Sequence, residues 1–460
     1  MTVKAIMPVG INLVAPLAHE ATDTRTTGTA GSAQDRPGAV APLIGRGLRP
    51  GDVDSAMGRS TPASRPTPGT RTSTTATRTT TTRTTSSAPG RSADRTDAVH
   101  AGPSFHELVA AYFDCRQHKR NTASALAFEV NLERNLVDLF DELAGGTYRP
   151  GPSICFIVTR PKPREVWAAG FRDRIVHHLL YNRVGPRFER SFIADSCACI
   201  KGRGTLYAVQ RLEAKVRGVT RNWSRPAWYL KCDVANFFVS IDKAILGSLL
   251  AAKIHEPWWR DLAELVLFHD PRPDVILRCR PHELERVPPH KRLANQPAEL
   301  GLPIGNLSSQ FFANVYLDQL DQFAKHVLRA RHYIRYVDDF VLLHESREWL
   351  QATLAEIEAF LPATLGVRLN PRKTVLQPIE RGIDFVGQVI KPWRRTIRRR
   401  TFNQAIDRVA TVPLEDFRAT ANSYFGLVRQ ASASRRDREC LAKAVLRRGR
   451  PVSGDLMRSC

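Results

Sequence analysis

Three aspartates could do chemistry in this 460-residue chain. Asp338 and Asp339 stand side by side in Arg335-Tyr336-Val337-Asp338-Asp339-Phe340-Val341-Leu342-Leu343, a run otherwise apolar and β-prone. Aspartate is disfavoured within strands, so the run divides into strand, turn and strand. Tyr333–Val337 runs in, the Asp pair makes a tight turn, and Phe340–Leu343 runs out. Carboxylates held at a hairpin tip by two buried strands form a rigid oxygen site for a divalent cation. An Asp-rich turn with no chemistry has the same local pattern, and a third aspartate separates the two readings. Asp233 ends a second β-prone run, Trp228–Val234, and Ser240 or Asp242 can cap a following helix over Lys243–Ala252. A strand-end carboxylate beside the hairpin completes a site for two ions about 3.5–4 Å apart, which clamp the attacking and leaving oxygens of an in-line displacement. Mg²⁺ suits it, because that ion keeps positions open for water and phosphate. Asp233 and Asp338 would bridge the ions, the Val234 carbonyl would add a ligand, and Asp339 would support them.

The remaining elements must position these groups. Residues 1–103 are rich in Thr, Pro, Gly, Ser and Arg, and Thr72–Thr85 is nearly a Thr-Arg tract. Such a segment lacks the apolar residues for a core and is expected to be disordered. It is either a basic RNA-tethering arm or a start-site artefact. From Ser104 the pattern changes to amphipathic helices, Phe105–Gln117 and Ser124–Leu143, the second ended by Gly145-Gly146. Net charge is +23, of which residues 1–103 carry +5, so +18 belongs to the folded part. A basic excess on a globular body is the footprint of a nucleic-acid binder. None of the eight cysteines forms a C-x-x-C pair, which fits a reduced cytoplasmic protein. Cys197 and Cys199 alternate on an expected extended segment. No apolar run is long enough to span a membrane, and Pro8, Gly10, Asn12 and Pro16 interrupt the weakly signal-like stretch Ile6–Leu17.

The aspartate segments resemble motifs A and C of a reverse transcriptase palm, and further segments follow in that family's order. Arg172–His178 and Ser196–Thr205 resemble its finger motifs, Gly301–Gln310 motif B, Leu369–Thr374 motif D, and Ile383–Gly387 motif E, the primer grip. The resemblance runs from about Ser104 to Arg436. It implies an α+β right-hand polymerase fold: fingers over 104–226, a palm with an antiparallel sheet over 227–392, and a short helical thumb with a basic C-terminus over 393–460. It implies an RNA-directed DNA polymerase that takes template RNA, primer and deoxynucleoside triphosphates. Phe238 would be the steric gate against a ribose 2′-hydroxyl. Lys162 and Arg164 on a fingers hairpin would grip the triphosphate, and Lys373 would donate a proton to the leaving pyrophosphate. Arg174, Lys201, Arg203, Gly387, Arg394, Arg395 and Arg398 would face the nucleic acid. His177 and His178, on an apolar helix, read as packing or template contacts rather than metal ligands.

Motif B narrows the type. Most prokaryotic relatives place Gln where this chain has Ile304 and Pro where it has Gln310. That pattern, with the long segment His269–Ala298 between motifs A and B, is similar to the reverse transcriptases of diversity-generating retroelements. These misincorporate opposite template adenines and work with a small basic accessory protein. Gly305 would let the motif B backbone approach the nascent base pair. Ile304 offers that pair no hydrogen-bond test, so selectivity would rest on shape. Ile304 could equally be a packing residue in a faithful enzyme. Two other readings are a phage-defence or domesticated reverse transcriptase, and an RNA-binding protein on a dead polymerase scaffold. The intact aspartates argue against the last.

Overall fold

The computed structural model describes residues 102–117, 122–159 and 162–459. The segment expected to be disordered lies outside them, save Gly102 and Pro103.

Helix α1 (Phe105–Arg116) starts at a capping box: the Ser104 hydroxyl accepts from the Glu107 N–H, and the Glu107 carboxylate accepts from the Ser104 N–H. The single helix expected over Ser124–Leu143 is two, α2 (Ala123–Glu129) and α3 (Leu132–Ala144). They part at Asn131, which leaves helical geometry (φ −124°, ψ 50°) and belongs to a residue type that favours turns over helix interiors. The Asn135 amide donates to the Phe128 carbonyl across the break at 2.8 Å, satisfying a group the lost helix would have paired. Gly145 caps α3 and Gly146 takes φ +69°, as the Gly pair predicts.

Strands β1 (Ser153–Val158) and β2 (Arg164–Ala168) form an antiparallel hairpin, followed by the buried helix α4 (Phe171–Glu189). The two-residue β3 (Ser196–Cys197) is the whole of the expected extended segment, because Ala198 and Cys199 are left-handed (φ +78° and +54°). Next come α5 (Thr205–Val219), β4 (Trp228–Asp233), the single turn α6 (Phe237–Ser240) and α7 (Lys243–Ala251). Asp242 caps α7, its carboxylate accepting from the N–H groups of Ala244 and Ile245 at 2.8 and 3.0 Å. After α8 (Pro257–Phe268), the long segment before motif B forms β5 (Val275–Leu277), parallel to β1, and the short α9 (Pro281–Glu285). The motif B helix α10 (Leu307–Gln322) is buried for most of its length.

Strands β6 (His332–Tyr336) and β7 (Asp339–His344) are the expected hairpin, with one correction: the turn is Val337-Asp338, and Asp339 already pairs within β7. After α11 (Arg347–Leu365) comes β8 (Val375–Pro378), which completes a sheet of order β3-β6-β7-β4-β8, antiparallel except at β3–β6. A second sheet follows, of β9 (Ile383–Phe385), β10 (Gln388–Lys391) and β11 (Arg394–Ile397). β11 lies past the expected palm boundary at 392, because it pairs with β10 throughout, Gln388 opposite Ile397. Helices α12 (Arg399–Thr411), α13 (Leu414–Val428) and α14 (Arg435–Leu446) close the chain.

This is the α+β arrangement the sequence implied. One large hydrophobic core draws residues from Leu108 to Ile390, while Cys155 and Trp167 of the β1–β2 hairpin form a small cluster of their own with Leu293. The C-terminal helices bury a separate core, from Ile397 to Val445, around Phe417 and Phe425. Among the described residues no helix is long and apolar enough to cross a membrane.

Candidate active site

β4 and β7 run antiparallel in a register that sets Asp233 opposite Asp339. The Val234 N–H donates to the Asp338 carbonyl at 3.2 Å, so the strand end and the turn are tied by backbone. Asp233 is buried, at 4% exposed, while Asp338 and Asp339 are half-buried. Three carboxylates in one place repel. Burial, then Asp339 and Asp233, hold the Asp338 acid well above the usual carboxylate range. Burial also raises Asp339, against the pull of Lys231, whose ammonium lies 3.9 Å away. A site that makes its own carboxylates hard to ionise is one that a cation would relieve.

A side chain already supplies part of that charge. Lys373 lies 2.6 Å from the Asp233 carboxylate. A short 3₁₀ turn, Pro371–Lys373, carries it, and Asn370 fixes that turn: its N–H donates to the Asp233 carbonyl at 2.8 Å, and its own carboxamide accepts from Arg372. Among the described residues no three His, Cys, Asp or Glu side chains close on one point as metal ligands. The donor set is nonetheless hard oxygen throughout, of the type that Mg²⁺ takes. Asn370 is a site residue that sequence reasoning passed over.

Phe237 is buried in the core, and Phe238 is half-buried against it, ring centroids 5.4 Å apart. The Phe238 carbonyl accepts from Leu302 N–H at 2.8 Å, which joins the segment after β4 to the motif B loop. That loop is also pinned to the fingers hairpin. The Trp167 N–H donates to the Ile304 carbonyl at 2.7 Å, and the Ala169 N–H donates to the Asn306 carboxamide at 3.0 Å. Gly305 has φ +143°, and a Cβ there would meet the Trp167 carbonyl at 2.7 Å. Strand β2 therefore makes a close approach that requires glycine at 305. Gln310 sits half-buried in the first turn of α10.

Arg164 opens β2, and Lys162 is exposed in the hairpin loop before it. Partial desolvation, then Lys373, Lys291, Arg400 and Arg164, lower the Lys162 ammonium pKa. The cations expected to bind a triphosphate therefore feel one another's charge, joined by Lys291 and Arg400.

The expected nucleic-acid residues divide. Lys201 and Arg394 are exposed. Gly387 makes the left-handed β9–β10 turn (φ +88°), and its carbonyl accepts from the Arg398 N–H. The Arg398 guanidinium is paired with Asp384, and Arg203 closes its own loop on the carbonyls of Ile193 and Ser196. Arg395 is 7% exposed and committed to Gln388, Glu213 and the Gln430 carbonyl, so it braces β11 from within. Arg174 is half-buried, with its Nε unpartnered among the described residues. The exposed cations of the run after motif E are Arg394, Arg399 and Arg400.

Residues 161–390 match the sequence model of the family described as Reverse transcriptase (RNA-dependent DNA polymerase). No curated protein matches the chain. Among solved structures, apo telomerase from Candida tropicalis, truncated from its C-terminal domain, is 12% identical over 52% of this chain and 53% of that one, with a TM-score of 0.38. Telomerase from Candida albicans, in complex with a TWJ fragment of telomeric RNA, is 11% identical over 65% of this chain and 54% of that one, with a TM-score of 0.42. The chain thus spans about half the length of these structures. The matched region runs from the fingers hairpin through all three aspartates to β10, and on that ground the chain belongs to the reverse transcriptase family.

Proposed function

We propose that this protein is an RNA-directed DNA polymerase that extends a primer on an RNA template with deoxynucleoside triphosphates. The observation that carries the reading is the set of three carboxylates at the end of β4 and the β6–β7 turn, with Lys373 on Asp233. Asp233, Asp338 and Asp339 would hold two Mg²⁺ ions, with the Val234 carbonyl as a further ligand. Bound there, the ions would activate the primer 3′-hydroxyl and neutralise the leaving pyrophosphate. The chain's own residues supply the rest. In this reading Lys162 and Arg164 draw the triphosphate in, Phe238 excludes a ribose, and Lys373 passes a proton to pyrophosphate. Aspartate-dependent primer extension tests the reading: products made equally by Asp338→Ala would refute it.

Within that activity we read the enzyme as the error-prone type of a diversity-generating retroelement, acting with a small basic accessory protein in the cytoplasm. Ile304 and Gln310 support this. The Ile304 backbone is held by Trp167, and its aliphatic side chain has no group with which to test a base pair. Sequencing cDNA made by wild type and Ile304→Gln checks it. Errors concentrated opposite adenine and reduced in the variant are expected. Faithful copying by both would leave a polymerase of the phage-defence or domesticated kind.

A further inference from the structure

We infer that Arg335, which touches no substrate, is the positioning residue that holds the catalytic turn in shape. The inference rests on the polymerase reading above.

The turn that presents Asp338 is under local strain. Its first residue, Val337, has φ +54°. Two-residue hairpin turns often need a positive φ there, and glycine or asparagine normally meets that need. A β-branched residue in the left-handed region is an outlier that persists only where its surroundings over-determine it. The over-determination is visible. Arg335 is 0% exposed, and its N–H groups donate five bonds. Two form a fork on Asp321 at 2.8 and 2.7 Å. Others reach the Asn314 carboxamide at 3.2 Å and the Ser196 hydroxyl at 2.8 Å. The fifth, at 3.0 Å, goes to the carbonyl of Val337 itself.

The partners show what is being fixed. Asn314 and Asp321 lie one turn-pair apart on the buried face of α10, the motif B helix, and Tyr333 adds a hydroxyl bond to Asp321 at 2.7 Å. Ser196 is in β3, on the edge beside β6. One planar cation thus measures the position of the Val337 carbonyl against the motif B helix and the sheet edge. Removing that bond frees the peptide between Val337 and Asp338 to rotate, and with it the direction of the Asp338 carboxylate. Lysine carries the charge that Asp321 needs but lacks the fork that reaches both Asp321 and the carbonyl.

The test compares Arg335→Lys, the double variant Arg335→Met with Asp321→Leu, and Ser196→Ala with the parent, all as full chains. The double variant leaves no lone buried charge, so it keeps the fold if the pair serves only packing. Folding is followed by circular dichroism, turnover by single-nucleotide extension, and turn mobility by amide exchange at Val337–Asp339. Expected for Arg335→Lys is a folded protein with kcat down about 10²-fold, the size of a misplacement of about 1 Å. Its KM for the deoxynucleotide and its primer–template affinity should hold, and turn exchange should quicken. Adding Val337→Gly should restore part of kcat, because glycine holds the left-handed φ unaided. Ser196→Ala, which removes one anchor but keeps the bond to the Val337 carbonyl, should lower kcat less than Arg335→Lys. Parent-like kcat in both Arg335 variants, or loss of folding in Arg335→Lys, or no rescue by Val337→Gly overturns the inference. A parent that shows no aspartate-dependent extension would instead bring down the polymerase reading itself.

Discussion

At the scale of single residues, the site is a contest between carboxylate repulsion and the cations that relieve it. Asp338 bears the heaviest load, raised by burial and by both neighbouring aspartates. Asp338→Asn removes one negative charge and should raise the melting temperature of the metal-free protein slightly, while extension falls by at least about 10²-fold. Calorimetry and primer extension on the same sample check the two together; a variant both destabilised and active would contradict this account. Lys373 makes a different prediction. Its charge sits on Asp233, so Lys373→Met should tighten Mn²⁺ binding, read by electron paramagnetic resonance, while slowing extension by roughly 10²-fold as a general acid is lost. The aspartates were legible because acids inside strand-like runs break a local rule, whereas Lys373 was reached only through the resemblance of Leu369–Thr374 to motif D. Arg335 was not, because a basic residue at a strand end looks solvated. Only the tertiary approach of α10 turns it into a buried fork.

At the scale of elements, β4, the β6–β7 hairpin and α7 were readable from apolar runs broken by aspartate and from a capping residue, Asp242. What escaped were features that need two distant segments. The break at Asn131 depends on a bond from Asn135, and the role of Gly305 depends on the neighbour that β2 provides. Gly305→Ala would drive a methyl into the Trp167 carbonyl at 2.7 Å. The motif B loop must then leave the fingers hairpin, at a cost of about 1–3 kcal/mol. Expected are a melting temperature lower by several degrees and a raised KM for the deoxynucleotide, since Lys162 and Arg164 sit on the same hairpin. An unchanged KM in a folded variant would show that the loop and the hairpin act independently.

At the scale of the whole molecule, the +23 charge predicts that RNA affinity falls steeply with salt, linearly in log–log form. Arg394→Ala should flatten that slope by about one ion, whereas Arg398→Ala, whose guanidinium is held by Asp384, should flatten it less. Equal slopes would mean that Asp384 releases Arg398 to the duplex. Acid stability is also a property of the whole body. His177 is buried on α4, with Arg174, His178 and His269 around it and Asp173 lining the same small cavity. Burial, then those neighbours, pull its pKa from 6.5 down to about 3. The unfolded chain therefore takes up a proton that the folded one refuses, and stability falls as pH drops from about 6.5 toward 3. His177→Leu should flatten that limb of a melting-temperature profile, and an unaltered limb would put the acid sensitivity elsewhere.

The separation of the two large cores has a mechanical meaning. The large interior packs the sheet that carries the aspartates, and the β1–β2 hairpin adds only a small cluster beside it. The C-terminal helices are packed around their own interior and braced to the rest through β11 and Arg395. With its interior split this way, the helical end is expected to come loose as a unit before the sheet that carries the aspartates opens.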